Sequence, residues 1–322
     1  MVFLAILSTC SLFVWPKNNL LVISEIVVSI IIVNYNTRDL TRDCLSSIYH
    51  NTRNLCFEII VVDNASADGS QQMIKSEFPN VILIESPDNL GFGKANNLGS
   101  TYAVGKFLLF LNSDTILLEN TVKVFSDYMQ QANDSTIAVV GCNMFDGDRK
   151  KHVSYGNFPS ALQEIFEYGL SKIFVKYYKS GLSVSVMDTD KQIKSVDYIV
   201  GACMFFKADL FRQFGGFDEE FFLYFEETEL CFRLKKAGYK SMWNPNTSII
   251  HYEGASGNKK ELINYRIVEE FYKSKFLYYK KCHGIFTAKM LKYFCIPKTI
   301  RLYRKFDSIR IFRILLRAGK NN

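Results

Sequence analysis

Carboxylates stand at the ends of apolar runs in several places along this chain, and each has a possible chemistry. Asp63, in the segment VVDNAS, could accept the imide N–H of a pyrimidine base or a ribose hydroxyl; a helix N-cap or turn is the plainer role for an Asp followed by Asn. Asp114 directly follows FLLFLN, where one fixed carboxylate could hold a divalent cation bridging two phosphates, or could cap a helix beginning after Ile116. Glu226, Glu227 and Glu229 crowd together behind the aromatic run Phe221 to Phe225. Like charges so close raise at least one pKa, as a general base requires, although an acidic first helical turn is also favoured by the helix dipole. His251 ends TSIIH and is either a metal ligand or an ordinary paired imidazole. The loop NLGFGKANNLG, Asn89 to Gly99, would let backbone approach a phosphate, but lacks the dinucleotide G-x-G-x-x-G spacing.

Positioning these groups calls for an open sheet. Val27 to Asn34 is a continuous β-branched run of the kind buried on both faces of a parallel sheet. Helical spacing over Thr37 to Tyr49 and a second apolar strand, Glu58 to Val62, complete a βαβ unit. The pattern continues with a helix at Gly69 to Phe78, a strand at Val81 to Ile84, a helix at Lys94 to Tyr102 and a strand at Lys106 to Leu111. A helix at Glu119 to Gln131 and a strand at Ile137 to Cys142 precede a variable stretch reaching about Lys194. Beyond it are a strand over Val196 to Phe206 with a Gly-Ala break, a helix at Glu226 to Lys236, and a short strand at Ser248 to His251. From Asn264, aromatic and basic residues alternate at helical spacing. Open α/β sheets bind ligands outside the carboxyl ends of their strands, and here those ends carry Tyr35, Asn36, Asp63, Asn64 and Asp114.

The 322 residues are 48% apolar and 22% charged, the composition of a folded globular chain. Much of the net charge of +7 lies near the C-terminus, where Lys289, Lys292, Lys298, Arg301, Arg304, Lys305, Arg310, Arg313, Arg317 and Lys320 face only Asp307. A basic tail, as opposed to a basic reading face, argues against nucleic acid. The eight cysteines show neither zinc-site nor disulfide spacing, which predicts reduced, mostly buried thiols and a cytoplasmic location. Met1 to Trp15 is uncharged but shorter than the roughly 20 residues of a spanning helix and has no basic start. It reads as a membrane-dipping anchor or an extension ahead of the domain, and not as a signal peptide.

The order of the segments VSIIIVNYN, VVDNAS, NLGFGKANNLG, FLNSDT, VGACMFF, FDEEFFLYFEETELCFRLKKAGY and IIHYEG, over roughly residues 27 to 255, closely resembles family 2 glycosyltransferases of the rhamnosyltransferase-like kind. The resemblance implies an α/β fold of GT-A type: a Rossmann-like nucleotide-sugar-binding domain with a mixed, mainly parallel sheet, followed by C-terminal amphipathic helices. The division expected is an apolar extension over 1–25, a catalytic domain over 26–260 and a basic aromatic tail over 261–322. By the same resemblance Tyr35 stacks on the donor base, Asp63 reads it, Asn97 lines the donor pocket, and Asp114 ends a D-x-D-like metal motif. Glu227 falls at the catalytic base of a segment usually written E-D-x-D, with Glu226 beside it toward the acceptor, and Arg233 follows at the family's spacing. His251 matches a late metal-shell histidine. Gly201 and Ala202 are either an acceptor approach or small-residue packing. The chain departs from the pattern in its single carboxylate at Asn112, Ser113, Asp114, and in Glu-Glu-Thr-Glu where Asp is usual.

The function implied is inverting transfer of a sugar, with L-rhamnose one candidate, from a nucleoside-diphosphate donor to a hydroxyl of a saccharide or lipid-linked acceptor, using Mg²⁺ or Mn²⁺. The basic, aromatic tail, with Tyr293, Phe294, Tyr303, Phe306, Ile309, Phe312 and Leu315, suits an anionic membrane surface, placing the protein at the inner face of the cell membrane. Phe271 to Tyr279 offers a stretch for a second subunit. Two rival readings are a sugar nucleotidyltransferase, which would place a Gly-rich basic loop where NYNTRDL stands, and a nucleotide-sugar-binding assembly protein without turnover.

Overall fold

The computed structural model describes residues 25–167, 185–186, 191–252, 264–302 and 312–315. In chain order the first half contains β1 (Val28–Asn34), α1 (Arg38–Asn51), β2 (Phe57–Asn64), α2 (Ser70–Glu77), β3 (Ile82–Ser86), α3 (Phe92–Tyr102), β4 (Phe107–Asn112), β5 (Thr115–Leu117), α4 (Thr121–Gln131) and β6 (Ile137–Phe145). There follow β7 (Lys151–His152), β8 (Tyr155–Gly156), α5 (Ala161–Glu167), β9 (Ser185–Val186), β10 (Lys194–Val196), β11 (Tyr198–Ile199) and β12 (Cys203–Lys207). The last elements are α6 (Ala208–Gln213), α7 (Glu226–Lys236), β13 (Lys240–His251), α8 (Tyr265–His283) and α9 (Ile285–Leu302).

The main sheet runs β10-β13-β6-β12-β4-β1-β2-β3, with β5 on β13 and β7 on β6. Strands β3, β2, β1 and β4 are parallel neighbours, whereas β12 lies antiparallel between β4 and β6, and β13 runs parallel to β6. The sheet is therefore mixed and mainly parallel, as the sequence predicted. A small second sheet, β11-β8-β9, lies beside it. Alternation along the strands builds a core on each face. Ile30, Ile32, Ile59 and Val61 meet α1, α2 and α4 through Leu45, Ile48, Met73, Ile74 and Phe125. Ile31, Ile60, Leu108 and Phe110 meet α6 and α7 through Phe211, Leu230 and Leu234.

Three elements differ from the sequence expectation. Residues after Asp114 form the short strand β5 before α4 begins, because Thr115 to Leu117 pair with β13. The strand expected over 196–206 does break at Gly201 and Ala202, between β11 and β12, but it is also interrupted at Asp197, so that Val196 ends β10 and Tyr198 begins β11. Strand β13 starts at Lys240, well before Ser248; its register shifts between Asn244 and Ser248, which accommodates Pro245 and hides the alternation.

Helix α8 is part of the globular body. Phe221, Leu277, Tyr278, Tyr279, Cys282, Ala288 and Leu291 form a third cluster against Phe225 and Phe232, and the buried pair Lys275–Glu164 (2.6 Å) ties α8 to α5. The second half of the stretch expected to meet a second subunit is covered from within, with Tyr278 and Tyr279 fully buried, while Phe271 packs on Tyr224 and Phe225 and stays exposed. The six described cysteines are free and all but Cys56 are buried. Among the described residues no helix is long and apolar enough to cross a membrane. Met1 to Trp15, the side chain of Phe294, and Tyr303, Phe306 and Ile309 lie outside the described residues; Leu315 is buried, which removes it from any lipid-facing surface.

Candidate active site

The chain passes from β1 outward through β2 and β3 and then returns to β4 on the other side of β1, which opens a crevice at the carboxyl ends of these strands. A buried polar chain floors it. Asn34, the last residue of β1, donates from Nδ2 to Asp63 Oδ1 (2.6 Å) at the end of β2. Its Oδ1 accepts from the hydroxyls of Thr37 (2.7 Å) and Thr41 (2.8 Å) in the α1 turn, and Thr37 meets the Ser113 hydroxyl after β4 (2.9 Å). Asp63 is fully buried, and its Oδ2 accepts from the Ser66 backbone N–H (3.0 Å) and Gln71 Nε2 (2.7 Å). The turn role considered for Asp63 is therefore real, and it coexists with a place at the crevice floor. Tyr35, the next residue after β1, is 40% exposed with its ring available to a ligand.

The tight β4–β5 connection turns Asp114 toward His251, whose strand pairs with β5 at Thr115. Asp114 Oδ1 and His251 Nε2 lie 3.3 Å apart, and Asn112 Nδ2 is 3.3 Å from the same nitrogen. Asn112 Oδ1 and His251 Nδ1 are buried without hydrogen-bond partners among the described residues. One carboxylate, one imidazole and one orphaned amide oxygen make an oxygen- and nitrogen-rich donor set that fits Mg²⁺ or Mn²⁺ when diphosphate oxygens complete the shell. No group of three or more His, Cys, Asp or Glu side chains converges among the described residues, so the protein alone offers an incomplete cage.

The break between β11 and β12 joins this corner to the acidic cluster. The Ala202 carbonyl accepts from the Asn112 N–H (3.0 Å), and a Cβ placed on Gly201 would stand 3.7 Å from Glu227 Cγ. Glu226 and Glu227 open α7 and diverge: Glu226 packs on Gly93, whose Cβ position lies 3.5 Å from Glu226 Cβ, and Glu227 faces Gly201. Burial, and then the Glu227 charge, push the Glu226 carboxyl well above the ordinary range. Glu226 Oε2 has no partner among the described residues. Burial also raises half-buried Glu227, with its own backbone N–H and the Thr228 hydroxyl (3.1 Å) pulling partly back. The Glu227 charge in turn helps burial raise the nearby Tyr198 phenol. The helix is entered through Tyr224 and Phe225, both left-handed at φ near 70° and costly for aromatic residues. The Ser274 hydroxyl of α8, bonded to the Leu223 carbonyl at 2.7 Å, and the rings of Phe271 and Tyr278 hold that entry in place.

Asn97 and Arg233 are drawn into the framework. Both ends of the Asn97 amide are taken by the Phe217 backbone, Nδ2 to O at 2.7 Å and N to Oδ1 at 2.9 Å, so it clamps α3 to the loop before α7 instead of lining a pocket. Arg233 pairs with Glu229 (2.7 Å) and donates to the carbonyls of Phe214 and Gly216. Gly91 does permit a close approach, to protein and not phosphate: at φ 82°, a Cβ there would lie 2.2 Å from the Phe222 carbonyl oxygen. Sequence reasoning gave Asn34 no role, noted Asn112 only as a position without a carboxylate, and placed Asn64 at the crevice without its task, which is to fasten the loop before α3 through Asn89, Leu90 and Gly91. Their one visible signal was an Asn closing an apolar strand.

With this geometry in view, the match to the family model "Glycosyl transferase family 2" over residues 29–213 has a structural meaning. The chain belongs to glycosyl transferase family 2 and is a glycosyltransferase. It is 25% identical over 212 residues to the N-acetylglucosaminyl-diphospho-decaprenol L-rhamnosyltransferase of Mycobacterium tuberculosis, covering 62% of this chain and 67% of that one. It is 26% identical over 234 residues to rhamnosyltransferase WbbL of Escherichia coli, covering 70% and 83%. Among solved structures, the Pyrobaculum calidifontis mannosyltransferase PcManGT in complex with GDP-Man and Mn²⁺ superposes with a TM-score of 0.52 at 15% identity, covering 92% of this chain and 86% of that one. GalNAc-T7 with UDP, GalNAc and Mn²⁺ gives 0.57 at 14% identity, covering 92% and 55%. The fold is the GT-A fold.

Proposed function

We propose that this glycosyltransferase moves a hexose, L-rhamnose foremost, from a nucleoside-diphosphate donor to a hydroxyl of a lipid-linked saccharide with inversion, as a step in surface polysaccharide synthesis. The observation that carries the reading is the Gly201–Ala202 break, which touches Asn112 on one side and Glu227 on the other, so that donor-phosphate and base positions share one short wall. Tyr35 would stack on the base and Asp63 would accept its N–H. Asp114, His251 and the Asn112 carbonyl would hold a divalent cation. When bound, that cation neutralises charge building on the departing diphosphate. Glu227 takes the acceptor hydroxyl proton while the oxygen forms its bond to the anomeric carbon, and the bond to the diphosphate breaks on the opposite face. Glu226, on the same first turn of α7 but packed on Gly93, would flank the acceptor side of that base. The rhamnosyltransferase names of the two relatives support the donor choice, and the decaprenol-linked substrate in one name supports a lipid-linked acceptor.

A membrane-surface location is supported by α9, whose Ile285, Phe286 (79% exposed) and Tyr293 (74%) stand beside the exposed Lys289. Sedimentation with anionic vesicles, abolished in a Phe286→Ser, Tyr293→Ser double variant that keeps its melting temperature, is the expected result. The function itself is tested with a panel of nucleotide sugars, Mn²⁺ or Mg²⁺, and a membrane lipid extract. Release of nucleoside diphosphate from one donor, stopped by a chelator and by Glu227→Gln, is expected; donor binding without release under any condition would favour the non-catalytic assembly role.

A further inference from the structure

Three contacts lay the chain from Asp197 to Gly201 along one stripe of α7. Asp197 pairs with Lys235, the Ile199 backbone hydrogen-bonds the Cys231 thiol, and Gly201 faces Glu227. Lys235, Cys231 and Glu227 stand at four-residue spacing on one helix face, so the chain runs down that face to the base. Tyr198 is fixed inside this ladder. Ile199 after it fills the notch at Gly141, where a Cβ would stand 2.3 Å from Ile199 Cγ2. The Tyr198 ring stacks on Phe158 (6.4 Å, 24°), whose N–H is bonded to Asp197. Tyr198 is only 7% exposed, yet its O–H bonds to none of the described residues and, unlike the Tyr278 hydroxyl, is not sealed from solvent. Glu227 is its foremost charged neighbour, and burial together with that charge keeps the phenol protonated. No hydrogen bond joins the two. The Glu227 carboxylate is held instead by the Thr228 hydroxyl and by backbone at its own helix start.

We propose that Tyr198 is an acceptor-binding residue, its hydroxyl donating to the sugar hydroxyl next to the one that Glu227 deprotonates. The inference rests on the reading of Glu227 as the base. A phenol and a carboxylate that feel each other's charge without bonding leave space between them for ligand oxygens. A protonated phenol in that place is a fixed donor with nothing to donate to. Donation to the attacking oxygen itself would hold back the lone pair that forms the new bond, so the productive partner is the neighbouring hydroxyl. The acceptor class is therefore a saccharide with a vicinal diol, one hydroxyl addressed by Glu227 and the other by Tyr198.

The test uses the full chain with each nucleotide sugar of the panel, Mn²⁺ and graded amounts of a membrane lipid extract. Nucleoside diphosphate release is read for wild type, Tyr198→Phe and Glu227→Gln. Tyr198→Phe keeps the ring and removes one hydroxyl. The extract concentration giving half-maximal release should rise about two- to tenfold, the worth of one neutral hydrogen bond, with the maximal rate changing less. Diphosphate binding by calorimetry should match wild type. The melting temperature should equal or exceed that of wild type, because a hydroxyl without a protein partner adds nothing to the fold. Periodate, which cleaves vicinal diols, should abolish release when the extract is treated with it and quenched before assay. An unchanged half-maximal concentration, a fall in melting temperature or diphosphate binding that accounts for the change, or release that survives periodate overturns the proposal. A normal Tyr198→Phe beside an inactive Glu227→Gln fails this inference alone. Full release by Glu227→Gln, or none by wild type, fails the base reading and this inference together.

Discussion

Asp63 and Glu226 are both buried carboxylates at the same crevice, and their surroundings are opposite. Asp63 meets three N–H donors at 2.6–3.0 Å, which replace the water it lost on folding. Glu226 has an oxygen with no donor among the described residues, and the neighbour that matters most to its charge is another carboxylate. The first arrangement suits an acceptor fixed in place, the second a carboxyl whose charged form burial disfavours. A single sheet edge therefore supports both a rigid reading group and a proton-handling pair, because hydrogen bonds are supplied at one corner and withheld at the other.

Glu227→Gln would strain this contrast most. It should lower kcat by about 10²- to 10⁴-fold with donor binding retained, measured as diphosphate release; full activity would move the base elsewhere. In the wild type, kcat should rise with pH through a Glu227 pKa above the ordinary carboxylate range, since a base acts only when deprotonated. Asp114→Ala and His251→Ala come next. Each should weaken nucleoside-diphosphate binding in Mn²⁺ about tenfold or more, one charge-assisted contact of about 1.4 kcal/mol, down to the value in chelator. Equal binding with and without Mn²⁺ in wild type would remove the cation from this corner.

Asp63→Ala strips the acceptor from Asn34, Ser66 and Gln71 together and should cost about 1–3 kcal/mol for each donor left buried and unpaired, read by denaturant unfolding. The smallest effect is expected at the other corner. Burial holds the Glu226 pKa above its unfolded value of 4.5, so between the two the folded chain binds more protons, and stability falls as pH rises through that window. Glu226→Gln removes this loss. Its melting temperature should exceed that of wild type by about 2–4 °C at mildly alkaline pH and match it below pH 4.5, where both forms are neutral. A variant less stable at high pH would show that Glu226 is charged and paired in the fold.

The apolar runs that became β1, β2 and β4 were visible in the chain because strands buried on both faces read as near-continuous apolar runs. The polar residues at their ends followed, since a parallel sheet presents its strand ends at one edge. That was enough to single out Asp63 and Asp114; Glu226 and Glu227 stood out by their crowding behind an aromatic run, and the order of the motifs pointed to family 2 glycosyltransferases. Partners more than a helix away were hidden. Asn97 looks like a pocket residue until Phe217 is found on its amide, and Phe271 to Tyr279 looks like a free aromatic face until α8 folds back on α7. Pro245 disguised β13, which brings His251 to Asp114. Side-chain type and spacing along one strand or helix are local properties, so the chain could declare them. Which donor meets which acceptor depends on contacts between residues 29 to 139 positions apart, and only packing fixed those.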